Sequence, residues 1–256
     1  MEPSLLETLE AGVLTLTINR PERRNALDAA TITRLHRRLV DAAEDRAVRT
    51  VVLTGAGGAF SAGADLKEAA MNPPEGDLIE QAYHPTIRIM RRMPKPVIAA
   101  VDGVAAGYGA SLALAADIRV VSTRARFSLI FARVGLALDG GASFFLPRLV
   151  GLRAFELAMT GELIDAEEAY RLGMVNHVHP EERFMAEVMA LARRLASGPP
   201  LALAAIKANL NASLGPALDA VLEDERIAQR RLFPSADFRE GVAAFIGKRA
   251  AEFKGE

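Results

Sequence analysis

Twice in the first half of the chain a short, continuously apolar run breaks into a loop of small residues. The first is "VRTVVLTG" followed by "AGGAFSAGADLKE"; the second is "PVIAAVDG" followed by "VAAGYGASLALAAD". A run without polar alternation reads as a strand covered on both faces, which demands helices packed on either side of a sheet. The flanking segments supply them. "LDAATITRLHRRLVDAAED" places Ile32, Leu35, Leu39 and Ala42 at helical spacing, with Asp28 set to cap the start. Another helical stretch spans Ile79 to Met93 and is closed by "MPKP".

Before the first helix, "VLTLTINRP" alternates as a strand and pairs with "LLETLEAG" through a turn at Glu10 to Gly12. "IRVVS" continues the α/β alternation. From Glu181 the pattern is helical: "ERFMAEVMALARRLAS", "PPLALAAIKANLNAS" and "ALDAVLEDERIAQRRL", separated by Gly and Pro signals. We expect an α/β core over residues 1–195 and a helical region over 196–256. The loop "AAMNPPEGD" is the best candidate for local mobility.

Composition removes several functional classes. The 31 basic and 32 acidic residues give a net charge of -1, so no overall field draws the chain to nucleic acid or an anionic membrane. There is no cysteine, hence no thiolate nucleophile, thiolate metal site or disulfide, which suits a reducing cytoplasm. The acidic start "MEPSLLETLEAG" reads as mature sequence rather than a signal peptide. The apolar run Val104 to Ala116, bracketed by Asp102 and Asp117, is shorter than the roughly 20 residues of a membrane span.

The first small-residue loop does not fit a dinucleotide fingerprint, because Phe60 takes the third glycine position, and no P-loop lysine follows. The second runs from strand into helix, so a helix starting near Tyr108 would present unpaired N–H groups to a ligand. Taken alone, it reads equally as tight strand–helix packing. Two such loops at two strand ends favour a pair of convergent backbone donors, the arrangement of an oxyanion hole.

"RPERRNALD", "AFSAGADLKE", "AVDGVAAGYGASLALAADIRV", "LPRLVG" with "AFELAMTGELIDAEEAYRLGMVNHV", and the tail "SADFREGVAAFIGKRAAEFKGE" together resemble the enoyl-CoA hydratase/isomerase family, the crotonase superfamily. The resemblance implies a spiral of β-β-α units whose C-terminal helices mediate trimers, usually paired into hexamers. It implies a coenzyme A thioester as substrate, with no permanently bound cofactor and no metal. The backbone N–H groups of Ala64 and Tyr108 would hold the thioester oxygen, Tyr108 standing where most relatives have glycine. Arg24, Ala26, Ala62, Asp65 and Leu66 match positions that contact coenzyme A.

Hydratases of the family use two glutamates, and the matching positions here are Ser111 and Phe131. What remains is Asp139 in "GLALDGGASFF". By sequence it reads first as a turn residue capping a helix that begins near Ala142. By resemblance to double-bond isomerases, including those of phenylacetate degradation, it reads as the proton-transferring base. The expectation is therefore an enoyl-CoA isomerase; a hydratase using Asp139, and an acyl-CoA-binding oligomer with little catalysis, are the alternatives. His36 is expected on a solvated helix face, and His84, His177 and His179 outside the site. Ser111 could donate a hydrogen bond in the pocket, while Met185 and Met189 read as helix-face core residues.

Overall fold

The alternation of apolar runs and helical periods resolves into two sheets clad in helices. The structure, a computed structural model, describes residues 3–71, 77–214 and 217–254. Residues 72–76, the middle of the loop singled out for mobility, lie outside the described residues.

The chain opens with β1 (Leu5–Glu10) and β2 (Val13–Ile18), an antiparallel hairpin. Its two-residue turn, Ala11 and Gly12, has φ of 49° and 77°, the left-handed geometry that matches strand twist. α1 (Ala29–Glu44) starts where Asp28 accepts a 2.8 Å bond from the Thr31 N–H, and it buries Ile32, Leu35, Leu39 and Ala42 as their spacing predicts. β3 (Thr50–Gly55) leads into the first small-residue loop and α2 (Leu66–Met71). The next helix has two parts, a π-helical turn over Ile79–Tyr83 and then α3 (His84–Arg92).

The second half of the core repeats one theme. β4 (Val97–Val101), β5 (Val104–Ala106) and α4 (Tyr108–Ala115) follow in order, then β6 (Ile118–Ser122) and β7 (Arg126–Ser128). A 3-10 turn at Ile130–Val134 precedes α5 (Ala142–Val150), α6 (Arg153–Thr160), β8 (Ile164–Asp165), α7 (Ala166–Arg171) and β9 (His177–His179). From β4 onward each turn of the resulting spiral gives one strand to a six-stranded sheet, order β1-β2-β3-β4-β6-β9, and one to a three-stranded sheet, order β5-β7-β8. This is the expected spiral α/β architecture.

Side chains alternating along a strand point to opposite faces, and the large sheet has a core on each. Along β4, Val97, Ala99 and Val101 belong to the core that contains Leu35, Leu39 and Ile87; Ile98 and Ala100 belong to the one that contains Phe184, Val188 and Ala192. The last three residues lie on α8 (Glu181–Ala196). Met185, expected in the core, is exposed instead, because it sits one position past the buried stripe Phe184, Val188, Ala192, Ala196. Met189 is partly buried against that stripe.

The remaining helices are α9 (Pro200–Ser213), α10 (Ala217–Leu232) and α11 (Ala236–Gly247). A buried Lys207 anchors α9. Its ammonium donates to the carbonyls of Met90 (2.6 Å) and Lys95 (2.9 Å) and pairs with Asp117 at 2.7 Å. α10 packs on α5, and α11 on the 130–134 turn, where Gly241 lies against Val134 with no room for a side chain. No helix among the described residues is long and apolar enough to cross a membrane.

Candidate active site

The first small-residue loop is pinned along its length. The amides of Phe60 and Ser61 donate to Val104, that of Ala62 to Arg24, that of Asp65 to Leu27 and that of Leu66 to Ala64. The Gly63 N–H donates to Ser61 Oγ, which in turn donates to the Asn25 carbonyl. From Phe60 to Leu66, among the described residues, only the Ala64 N–H is left unpaired. An unpaired backbone donor amid so many paired ones is a site for an acceptor the chain does not supply.

A second donor, the Tyr108 N–H, lies beside Gly63. As the first residue of α4 it has no partner within the helix, and none among the other described residues. Gly63 brings the two together. Its φ is 94°, and a Cβ there would stand 2.7 Å from the Ala106 carbonyl and 3.1 Å from the Tyr108 nitrogen. The residue is bare because the second donor occupies the space beside it.

The Tyr108 side chain packs into the same region. Its ring meets Tyr83 edge to face, with centroids 4.3 Å apart, and its hydroxyl donates to the Tyr83 carbonyl at 2.7 Å. A Cβ on Gly140 would fall 2.8 Å from both that ring and Ser111 Cβ, so only glycine fits after Asp139. Burial and the nearby Asp139 charge push the Tyr83 and Tyr108 phenols well up from their ordinary value.

Asp139 is buried at the end of this wall, with 7% of its surface exposed. It does not cap α5: its Oδ1 accepts the N–H of the adjacent Gly140, and the helix N-terminus has another partner. That partner is Glu225 of α10, whose Oε2 accepts from Gly141 (2.7 Å) and Oε1 from Ser143 (2.8 Å). Burial first, then the Asp139 charge, push the Glu225 carboxyl up from its usual range. Ser111 Oγ donates to the Asp139 carbonyl at 2.7 Å, so Ser111 holds the backbone of this acid. Phe131 is buried in the 130–134 turn.

His84 differs from expectation. It is 1% exposed, and its Nε2 lies 2.9 Å from Asp139 Oδ1 and 4.0 Å from Glu225 Oε2. His84, Asp139 and Glu225 could geometrically hold a metal ion, their ligand atoms lying within 4.8 Å of one another, but both Glu225 oxygens already accept amide hydrogens. His36 is also not fully solvated: it is partly buried, and burial lowers its ring pKa. No spacing rule links His84 to an acid 55 residues on, or to a glutamate in the last third of the chain. The usable signal lay in α10, where Leu222, Glu225 and Gln229 share one buried helix face.

The residues expected to contact coenzyme A fall beside the first loop. Arg24 is exposed and Ala26 buried, while Ala62 and Leu66 are half-buried. The Asp65 carboxylate is already engaged, 3.1 Å from Arg20 and accepting from the Glu68 N–H at 3.2 Å. It braces the loop. Two concavities lie elsewhere, one between α3, α9 and α10 and one between β1 and α1; none of Ala64, Tyr108 or Asp139 lines them.

Residues 8–256 match the model of the enoyl-CoA hydratase/isomerase family. The chain is 42% identical to the 1,2-epoxyphenylacetyl-CoA isomerase of Escherichia coli K12, over 98% of each chain. It is 38% identical to the 2,3-dehydroadipyl-CoA hydratase of the same strain, again over 98% of each. Among solved structures, an enoyl-CoA hydratase from Mycobacterium avium subsp. paratuberculosis K-10 superposes with a TM-score of 0.92 at 39% identity, covering 98% of this chain and 99% of that one.

Proposed function

We propose that this chain, which belongs to the enoyl-CoA hydratase/isomerase family and is therefore an acyl-CoA enzyme, shifts a carbon–carbon double bond in its substrate from the 3,4 to the 2,3 position. The observation that carries the reading is the disposition of carboxylates. Asp139 has one oxygen, Oδ2, without a protein partner among the described residues, whereas both oxygens of its neighbour Glu225 are taken. One available carboxylate suits a proton shuttle. Activating and orienting a water between two carboxylates is harder to build from it.

The thioester acidifies the C2 proton, and Asp139 takes it. The electron pair delocalises into the adjacent carbonyl, whose oxygen becomes a dienolate oxyanion between the Ala64 and Tyr108 N–H groups, while conjugation with the C3–C4 double bond carries electron density to C4. Each such donor stabilises a developing oxyanion by about 3 kcal/mol. Asp139 then returns the proton to C4, leaving the double bond conjugated at C2–C3. Atoms and charge balance without an electron acceptor or a metal, so the substrate's coenzyme A is the only cofactor the chemistry calls for. Buried Phe131 and the Tyr83–Tyr108 pair keep water from the conjugated product.

Around this centre we place Arg24, Ala26, Ala62, Asp65 and Leu66 along the coenzyme A path, Asp65 acting through the loop it braces. The chain assembles with copies of itself as a trimer or a pair of trimers, and works in the cytoplasm. The similarity to a named hydratase supports hydration of a 2-enoyl-CoA as the second reading.

The test is product analysis by NMR in deuterated water, with 3-enoyl-CoA and 2-enoyl-CoA supplied separately to wild type and Asp139→Asn. The expected outcome is 2-enoyl-CoA from 3-enoyl-CoA with no 3-hydroxyacyl-CoA, and a fall in turnover of about 10²–10⁴-fold in the variant, the range for a lost acid–base group. Accumulation of 3-hydroxyacyl-CoA would replace isomerisation by hydration.

A further inference from the structure

We infer that His84 is a positioning residue for the reaction: its Nε2–H holds Asp139 Oδ1, so that proton transfer is confined to Oδ2. The inference rests on the reading of Asp139 as the base. An ionised carboxylate only accepts hydrogen bonds, so the ring nitrogen facing Asp139 carries the hydrogen. Oδ1 also accepts the Gly140 N–H. Two donors on one oxygen leave Oδ2 as the carboxylate's available proton acceptor. The Asp139 side chain keeps 9% of its surface exposed, so it is not sealed off.

Three restraints make the arrangement rigid. The Ser111 hydroxyl holds the Asp139 carbonyl, Glu225 holds the amides on the far side of the Gly140–Gly141 turn, and His84 holds the side chain itself. His84 sits at the first position of α3, directly after the π-helical turn and before Pro85, with a helical backbone (φ -65°, ψ -41°). A carboxylate free to rotate about its Cβ–Cγ bond would offer either oxygen and would lose the alignment that transfer between C2 and C4 requires.

Two measurements test this. The first is long-range 1H–15N correlation on 15N-labelled protein, with the His84 signals identified by their loss in His84→Gln. The expected tautomer is Nε2–H, and Asp139→Ala, which removes the acceptor, abolishes that preference. The second is steady-state kinetics on 3-enoyl-CoA. His84→Phe, which fills the volume without a donor, lowers kcat about 10²-fold, as misplacement of a catalytic group does, with KM unchanged. His84→Gln restores an N–H at the same reach and recovers most of the loss.

An Nδ1–H tautomer in wild type overturns the proposal whatever the variants do. An unchanged kcat in His84→Phe, alongside an inactive Asp139→Asn, overturns the positioning role alone. Full activity of Asp139→Asn removes Asp139 as base, and the positioning role with it, even where NMR finds the hydrogen bond.

Discussion

At the scale of single residues, the site depends on what glycine lacks. Gly63 lets two backbone donors come close, donors that no substitution at Ala64 or Tyr108 short of proline removes, and it offers a way to test them. A Cβ in Gly63→Ala would press on the Ala106 carbonyl and the Tyr108 nitrogen, and its φ of 94° is unfavourable for alanine. The expected result is a fall in kcat of about 10²–10³-fold, the loss associated with one oxyanion donor. The fold should survive, since the loop's other amides keep their partners. Unchanged turnover in a folded Gly63→Ala would argue that the two N–H groups do not act together.

At the scale of elements, the C-terminal helices support the site from outside. α10 supplies Glu225 to the turn after Asp139, and α11 packs on the turn that carries Phe131. α11 is itself strapped by the tail: Glu240 pairs with Arg249 through both oxygens (2.6 and 2.7 Å) and accepts from the Glu252 N–H at 2.9 Å. The Arg249 bonds first, then the Glu252 amide, hold the Glu240 carboxyl down from 4.5 to about 2. A depressed carboxylate stabilises the fold when ionised. Its contribution is therefore complete above its ordinary value and disappears as pH falls through about 2. The carboxyl carbon of Glu240 should titrate with a midpoint near that value, and Glu240→Gln should release the Glu252 amide at neutral pH. A midpoint near the ordinary value would mean the strap does not hold in solution.

At the scale of the whole molecule, the large exposed apolar side chains call for a partner surface. Leu152, Phe155, Met159 and Leu163 recur at helical spacing along and beyond α6, and Leu152 is 84% exposed. Leu201, Ile206 and Leu210 are exposed on α9. Patches of this kind are uncommon on monomers, and the near-neutral net charge raises no long-range repulsion between copies. The double variant Phe155→Glu, Met159→Glu should shift the mass measured by light scattering from a trimer or hexamer towards the 27.4 kDa protomer. A wild type already monomeric at micromolar concentration would contradict the proposed assembly.

The layered fold and both small-residue loops were legible in the sequence, because those signals are local. Strand runs such as Val51–Val52–Leu53, the Asp28 cap and the stripe Ile32, Leu35, Leu39, Ala42 each follow from contacts within a few residues. From its own neighbourhood Asp139 reads as a helix cap, and only the family resemblance marks it as a base. The company that Asp139 keeps emerges only on folding. His84 and Glu225 stand 55 residues before it and 86 after it, on helices whose local patterns give no reason to meet, and they converge because α3 and α10 pack around the turn after Asp139. The cap of α5 shows the same division: sequence placed an acid three residues before it, but Glu225 was closer to its amides in space. Periodicity records which face of an element is buried, while the partner buried against it is fixed only when the chain closes on itself.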